Sequence, residues 1–136
     1  MIDFNDVPKV VYEVMNAVHE EEVELLNSIE ALLESDAPSA EISTAVEELL
    51  DHTREHFANE ERLMREVNFP AFRMHKNEHD KVLNEFQYVL IDWRNRKDNT
   101  ILSDYFRLEV TPWLYQHILS MDTVTAEFIA MAKGAA

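Results

Sequence analysis

The sequence predicts an all-α protein that folds as an antiparallel four-helix bundle with up-down-up-down topology. Apolar residues recur at intervals of three and four along almost the whole chain, which is the spacing of one face of an α-helix. Glycine occurs once and proline four times in 136 residues, too rarely for a β-rich fold with many tight turns. The length is that of one compact domain, so we expect residues 1–136 to form a single unit.

Breaks in the apolar pattern divide the chain into four helices of roughly 20–30 residues. We expect one over about Tyr12–Glu34, one that carries Ile42 to Val67 and ends near Asn68–Pro70, one over about Ala71–Arg94, and one that carries Ile101 to Ile129. Asp98, Asn99 and Thr100 are candidate N-cap residues for the fourth helix. Pro112 should kink that helix or mark the start of a new one, because proline lacks the N–H that an inner helical turn needs.

The composition excludes several classes of function. A formal net charge of −15 disfavours nucleic acid and anionic membranes as partners, because both are bound through Lys and Arg. The absence of cysteine excludes thiolate metal sites, iron–sulfur clusters and cysteine nucleophiles. The N-terminus lacks the pattern of a signal peptide, and no stretch has the roughly 20 apolar residues that span a bilayer. We therefore expect a cytoplasmic protein.

Histidines and carboxylates recur on the helix faces that the apolar residues assign to the bundle interior. Two pairs lie four residues apart and so share a helix face, and every helix supplies at least one imidazole. The inward-facing residues are His19, His56, Glu60, His75, His79, His117 and Asp122. A single His-x-x-x-His pair among six histidines is weak evidence, and any one of them alone would be interpreted as an ordinary core or surface residue.

The joint pattern favours a metal centre. Five imidazoles and two carboxylates would be costly to bury unless something satisfied their lone pairs and charge. Seven protein ligands are too many for one ion, but they suit two ions that share bridging carboxylates. Imidazole together with carboxylate is compatible with iron, manganese, zinc or copper, whereas calcium and magnesium prefer sites made of oxygen alone.

The order His, His-x-x-x-Glu, His-x-x-x-His and His-x-x-x-x-Asp, one motif on each helix, resembles the hemerythrin family over essentially the whole chain. The resemblance implies a di-iron site in the bundle core, with a bridging oxo or hydroxo group between the ions. It assigns His75, His79 and His117 to one iron, His19 and His56 to the other, and Glu60 and Asp122 to both as bridges. The second iron would then keep one coordination position for dioxygen.

The family also lines its oxygen pocket with bulky apolar side chains. Phe57, Trp113, Leu114 and Ile118 stand at the matching positions, although ordinary core packing would also explain them. His52 lies outside the motif and is interpreted as a surface or helix-end histidine. Three positions before the first ligand the family often has an acidic residue that accepts a hydrogen bond from it, and here that position is Asn16, an uncharged acceptor.

The resemblance therefore predicts reversible dioxygen binding for storage, delivery or scavenging, and not an enzyme. The alternatives are a di-iron enzyme acting on peroxide, nitric oxide or dioxygen, and an iron donor or storage protein. Ferritin-like di-iron proteins use Glu-x-x-His motifs, and none of the six histidines here has a Glu three residues before it. An oxygen-using enzyme is a candidate partner, and the sequence leaves open whether the protein is a monomer or a homo-oligomer.

Overall fold

The computed structural model describes residues 1–134 and contains a four-helix bundle. Its first three long helices are α1 (Glu13–Glu34), α2 (Ser39–Glu66) and α3 (Phe72–Arg96). The fourth consists of α4 (Asn99–Asp104), α5 (Thr111–His117) and α6 (Thr123–Ala132), joined by π-helical turns over Tyr105–Val110 and Ile118–Asp122. Short connections make successive helices antiparallel neighbours, so the predicted fold class is confirmed. No helix among the described residues is long and apolar enough to cross a bilayer.

Polar residues rather than glycines form the three breaks between the long helices. Asp36, Asn68 and Lys97 each adopt the left-handed conformation, with φ of 53°, 53° and 55°. Asp and Asn tolerate this conformation because their short polar side chains can hydrogen-bond locally. The N-cap prediction is confirmed at Asp98, whose side chain accepts a hydrogen bond from the backbone N–H of Thr100 at 3.0 Å. A short 3-10 helix over Phe4–Asp6, which periodicity did not predict, precedes the bundle.

Pro112 lies in the first turn of α5 and marks a new α-helical segment, one of the two alternatives expected from the sequence. The chain nevertheless stays helical through this point, because the π-helical turn over Tyr105–Val110 leads into it. The N–H of Thr111 reaches back five residues to the carbonyl of Phe106, and its hydroxyl donates to the same oxygen at 2.9 Å. This wider turn accommodates the missing N–H of the proline without ending the helix.

A layer of buried histidines interrupts the apolar core. One continuous cluster of buried apolar residues includes Ile42 and Leu50 from α2 and Phe86 and Trp93 from α3. Further along α2, past the histidine layer, Met64 is fully buried but lies outside this cluster. The buried polar layer therefore sits between packed apolar regions that hold its helices in place.

Candidate metal centre

The bundle brings all seven predicted ligand residues into its interior. None of their side chains lies on the surface, since every one of these residues is at most 7 % exposed: His19, His56, Glu60, His75, His79, His117 and Asp122. They come from α1, α2, α3 and the fourth helix. Burial of so many polar groups is unfavourable unless their lone pairs and charges find partners inside.

A π-helical turn explains the spacing of the last motif. In an α-helix, residues five apart point in directions that differ by about 140°, so His117 and Asp122 would not face the same point. The π-helical turn over Ile118–Asp122 has hydrogen bonds that span five residues, as from the Thr123 N–H to the Ile118 carbonyl, and this wider turn brings residues five apart towards the same face. As a result, His117 Nε2 lies 3.2 Å from Asp122 Oδ1.

The potential ligand atoms form two groups that share one carboxylate. Within each group the atoms all lie within 4.8 Å of one another: Glu60, His75, His79 and His117 in the first, and His19, His56 and Glu60 in the second. Asp122 contacts members of both groups. Its Oδ2 lies 3.0 Å from His19 Nε2, and its Oδ1 lies 3.1 Å from His75 Nε2. Both carboxylates therefore lie between the two sets of imidazoles.

Several of these atoms approach one another closely without forming hydrogen bonds. Glu60 Oε1 lies 2.9 Å from His75 Nε2 and 3.3 Å from His79 Nε2, yet this oxygen and the His79 nitrogen lack a hydrogen-bond partner among the described residues. Asp122 Oδ1 likewise lacks a hydrogen-bond partner among the described residues. A cation requires such closely grouped donor atoms with free lone pairs, so the residues fit a bound metal. Imidazole nitrogen with carboxylate oxygen suits iron, manganese, zinc or copper.

In the absence of a cation, protons must balance the buried charge. Burial alone lowers the pKa of His75, but its contacts with Asp122 and Glu60 outweigh burial and raise it to about 9. The same competition raises the pKa of His56 well above its usual value, through Glu22 and Glu60. The pKa of Glu60 is held well below its usual range, because contacts with histidines outweigh the effect of its burial. A divalent metal could replace these protons.

Outer contacts orient three of the imidazoles, and sequence reasoning missed all three partners. The Nδ1 atom of His56 contacts the carboxylate of Glu22, and that of His79 lies 3.0 Å from Glu61 Oε2. The Nδ1 atom of His75 lies 2.8 Å from the hydroxyl of Thr125. Such partners fix the tautomer of a ligand histidine and raise its basicity when they are carboxylates.

The expected role of Asn16 is wrong. Its side-chain oxygen accepts a hydrogen bond from the N–H of Val10 at 2.9 Å, and its amide nitrogen donates to the Val10 carbonyl at 2.8 Å and to Glu13 at 3.1 Å. Both N–H donors and the oxygen of the amide thus contact the start of α1 and the segment before it, and none of these bonds is to His19. The Nδ1 atom of His19 has no hydrogen-bond partner within residues 1–134.

Aromatic side chains cover the imidazoles on one side. The ring of Phe57 stacks on His79 at 3.8 Å with an interplanar angle of 4°, and Trp113 stacks on His117 at 4.4 Å and 17°. Three of the predicted pocket residues, Phe57, Trp113 and Leu114, line a small cavity of about 30 Å³. The fourth, Ile118, is fully buried but is not part of that cavity wall.

His52 is a partly exposed residue in the middle of a helix, so the helix-end interpretation is wrong and the surface interpretation is closer. It lies in the middle of α2 with a side chain 21 % exposed, and its Nε2 lies 2.8 Å from Glu21 Oε2. Its Nδ1 lies 3.9 Å from Glu22 Oε1. His52 belongs to neither group of potential ligands.

Because His52 only neighbours the outer carboxylates, His52→Ala should leave metal binding intact. We expect the same iron content per chain as in the unaltered protein, measured by elemental analysis after anaerobic loading with ferrous iron. His56→Ala, one helical turn away, is the matched variant that should lose iron. A large loss of iron in His52→Ala would contradict the ligand set.

Comparison with known proteins places the chain in a family. The family model of the Hemerythrin HHE cation binding domain matches residues 10–129. The chain belongs to the hemerythrin family. The bacteriohemerythrin of Aquifex aeolicus is 38 % identical over 124 residues, which cover 90 % of this chain and 93 % of that protein. No solved structure gives a significant match.

Two further bacteriohemerythrins are more distant. That of Ralstonia nicotianae is 32 % identical over 108 residues, covering 78 % of this chain and 72 % of that protein. That of Stenotrophomonas maltophilia is 25 % identical over 127 residues, covering 93 % of this chain and 80 % of that protein. The hemerythrin-family assignment and the buried His/Glu cluster together identify a cation-binding domain.

Proposed function

We propose that this protein binds dioxygen reversibly at a pair of iron ions held in the bundle, and that it is not an enzyme. The observation that carries the proposal is the pair of buried donor groups that share Glu60. We assign His75, His79 and His117 to one ion, His19 and His56 to the other, and Glu60 and Asp122 to both. Membership of the hemerythrin family supports this choice of metal and ligand.

Two ferrous ions can together supply the two electrons that reversible dioxygen binding needs. The chain's own residues make the two ions unequal, because one group contains three imidazoles and the other contains two. The ion held by His19 and His56 would therefore keep room for an external ligand. The ring of Phe57 lies beside this ion, with its centroid 5.2 Å from that of His56, and a dry wall limits the access of water and protons to the bound ligand.

The donor set favours binding over oxygen activation. Anionic oxygen donors stabilise high-valent iron better than neutral imidazoles do, and this site offers five imidazoles against two carboxylates. Two of the imidazoles, His56 and His79, gain basicity from outer carboxylates, but the ligand atoms themselves remain neutral nitrogens. A di-iron enzyme or an iron donor would use the same ligands, so experiment must separate these functions.

The test combines metal analysis with optical spectroscopy. Loaded anaerobically, the protein should hold close to two iron ions per chain and be almost colourless. Exposure to air should produce a visible absorption band, and argon should remove it over repeated cycles. Protein loaded with zinc is the control and should show no band. Iron retained with an irreversible spectral change would support an enzyme, and a single bound ion would contradict the paired site.

A further inference from the structure

The indole of Trp113 makes a hydrogen bond that the site described so far does not use. Its Nε1–H donates to Glu78 Oε1 at 2.5 Å, across from the fourth helix to α3. An indole has a single donor, so this bond is the only directed polar contact the side chain can make. A short bond to a carboxylate is also stronger than one between neutral groups.

Trp113 stands between solvent and the small cavity. One face of its ring stacks on His117, and its ring lies edge-on to Phe57 with centroids 6.4 Å apart. The side chain lines the cavity of about 30 Å³ together with Leu114. It is only partly buried, so its outer edge reaches water.

We propose that Glu78 is a positioning residue that fastens Trp113 over His117 and thereby slows the passage of small ligands and water through this wall. The inference rests on the proposed function, because the ligand concerned is dioxygen. Stacking alone allows a ring to slide or tilt, whereas the hydrogen bond fixes its direction as well. Release of the indole would uncover the ring of His117 and open the cavity behind it to solvent.

The positioning role can be measured first in metal-free protein. In Glu78→Ala, the indole N–H of Trp113 should exchange with solvent about tenfold faster, the size expected when a hydrogen bond to a charged group is lost. Trp93 is an internal reference, because its Nε1–H donates to Asn99 Oδ1 at 2.9 Å and should not change. Unchanged exchange at Trp113 would overturn the proposal.

The consequence for ligand passage is measured in iron-loaded protein. Glu78→Ala should release dioxygen into argon several-fold faster at unchanged iron content. Glu78→Gln keeps an acceptor oxygen and should release dioxygen at close to the rate of the unaltered protein. Glu85→Ala, which removes an exposed carboxylate from the same helix, is the matched control.

Faster indole exchange with an unchanged release rate would also overturn the proposal. Failure of the unaltered protein to bind dioxygen would instead contradict the proposed function, and indole exchange would still decide the positioning role.

Discussion

Glu60→Ala should remove metal binding from both donor groups at once. Glu60 is the one residue that the two groups have in common, and its Oε1 lies within 3.3 Å of both His75 Nε2 and His79 Nε2, while its Oε2 lies 2.8 Å from His56 Nε2. Its loss removes a charged ligand from each group and leaves Asp122 as the one carboxylate of the proposed ligand set, so less negative charge offsets the charge of two cations. We expect iron content to fall from about two ions per chain to well below one.

The measurement is elemental analysis after anaerobic loading, with circular dichroism to show that the bundle remains folded. Glu55→Ala is the matched control, because it removes an exposed carboxylate from the same helix and should keep full iron content. His56→Ala gives the intermediate case, since His56 belongs to only one group, and about half of the iron should remain. If Glu60→Ala still binds close to two ions per chain, Glu60 is not a shared ligand.

The fold was predictable because periodicity and helix breakers report backbone structure directly. The spacing of apolar residues predicted α1 and α3 to within about two residues, and the Asp98 cap identified the start of the fourth helix. The π-helical turns were not predictable in this way. Their hydrogen-bond register depends on how Pro112 and the buried side chains pack. The apolar pattern is too coarse to distinguish hydrogen bonds that span five residues from those that span four.

The candidate site was predictable only as a set of inward-facing residues. Histidines on the inner faces of helices predicted convergence, and the structure brings them together at hydrogen-bonding distances. The outer partners Glu22, Glu61 and Thr125 carried no such signal, because glutamate is abundant in this chain and most copies lie on the surface. The expected hydrogen bond from His19 to Asn16 is absent for a related reason. Sequence position does not reveal that the backbone of Val10 bonds to the same amide.

The pH dependence of stability in metal-free protein follows from the competition between burial and ion pairing. A histidine whose pKa rises on folding stabilises the fold fully below its unfolded value of about 6.5, and this stabilisation is lost as pH rises through the folded value. The folded pKa of His75 is about 9, and that of His56 is also raised. The carboxylates act in the opposite direction: the pKa values of Glu60 and Asp122 fall on folding, so their contribution is lost at acid pH.

Metal-free protein should therefore be most stable between about pH 4.5 and 6.5. Between pH 6.5 and 9 its free energy of unfolding should fall by on the order of 3 kcal/mol through His75 alone. Urea unfolding with chelator present, at several pH values in this range, measures the effect, and His75→Asn should flatten the curve. Iron-loaded protein should show the reverse trend, because a metal binds only deprotonated imidazole and gains affinity as protons leave. The stability difference between loaded and metal-free protein should thus widen steadily with pH. If metal-free protein instead becomes more stable towards pH 9, its histidines are buried in the neutral form and the nearby carboxylates do not raise their pKa values.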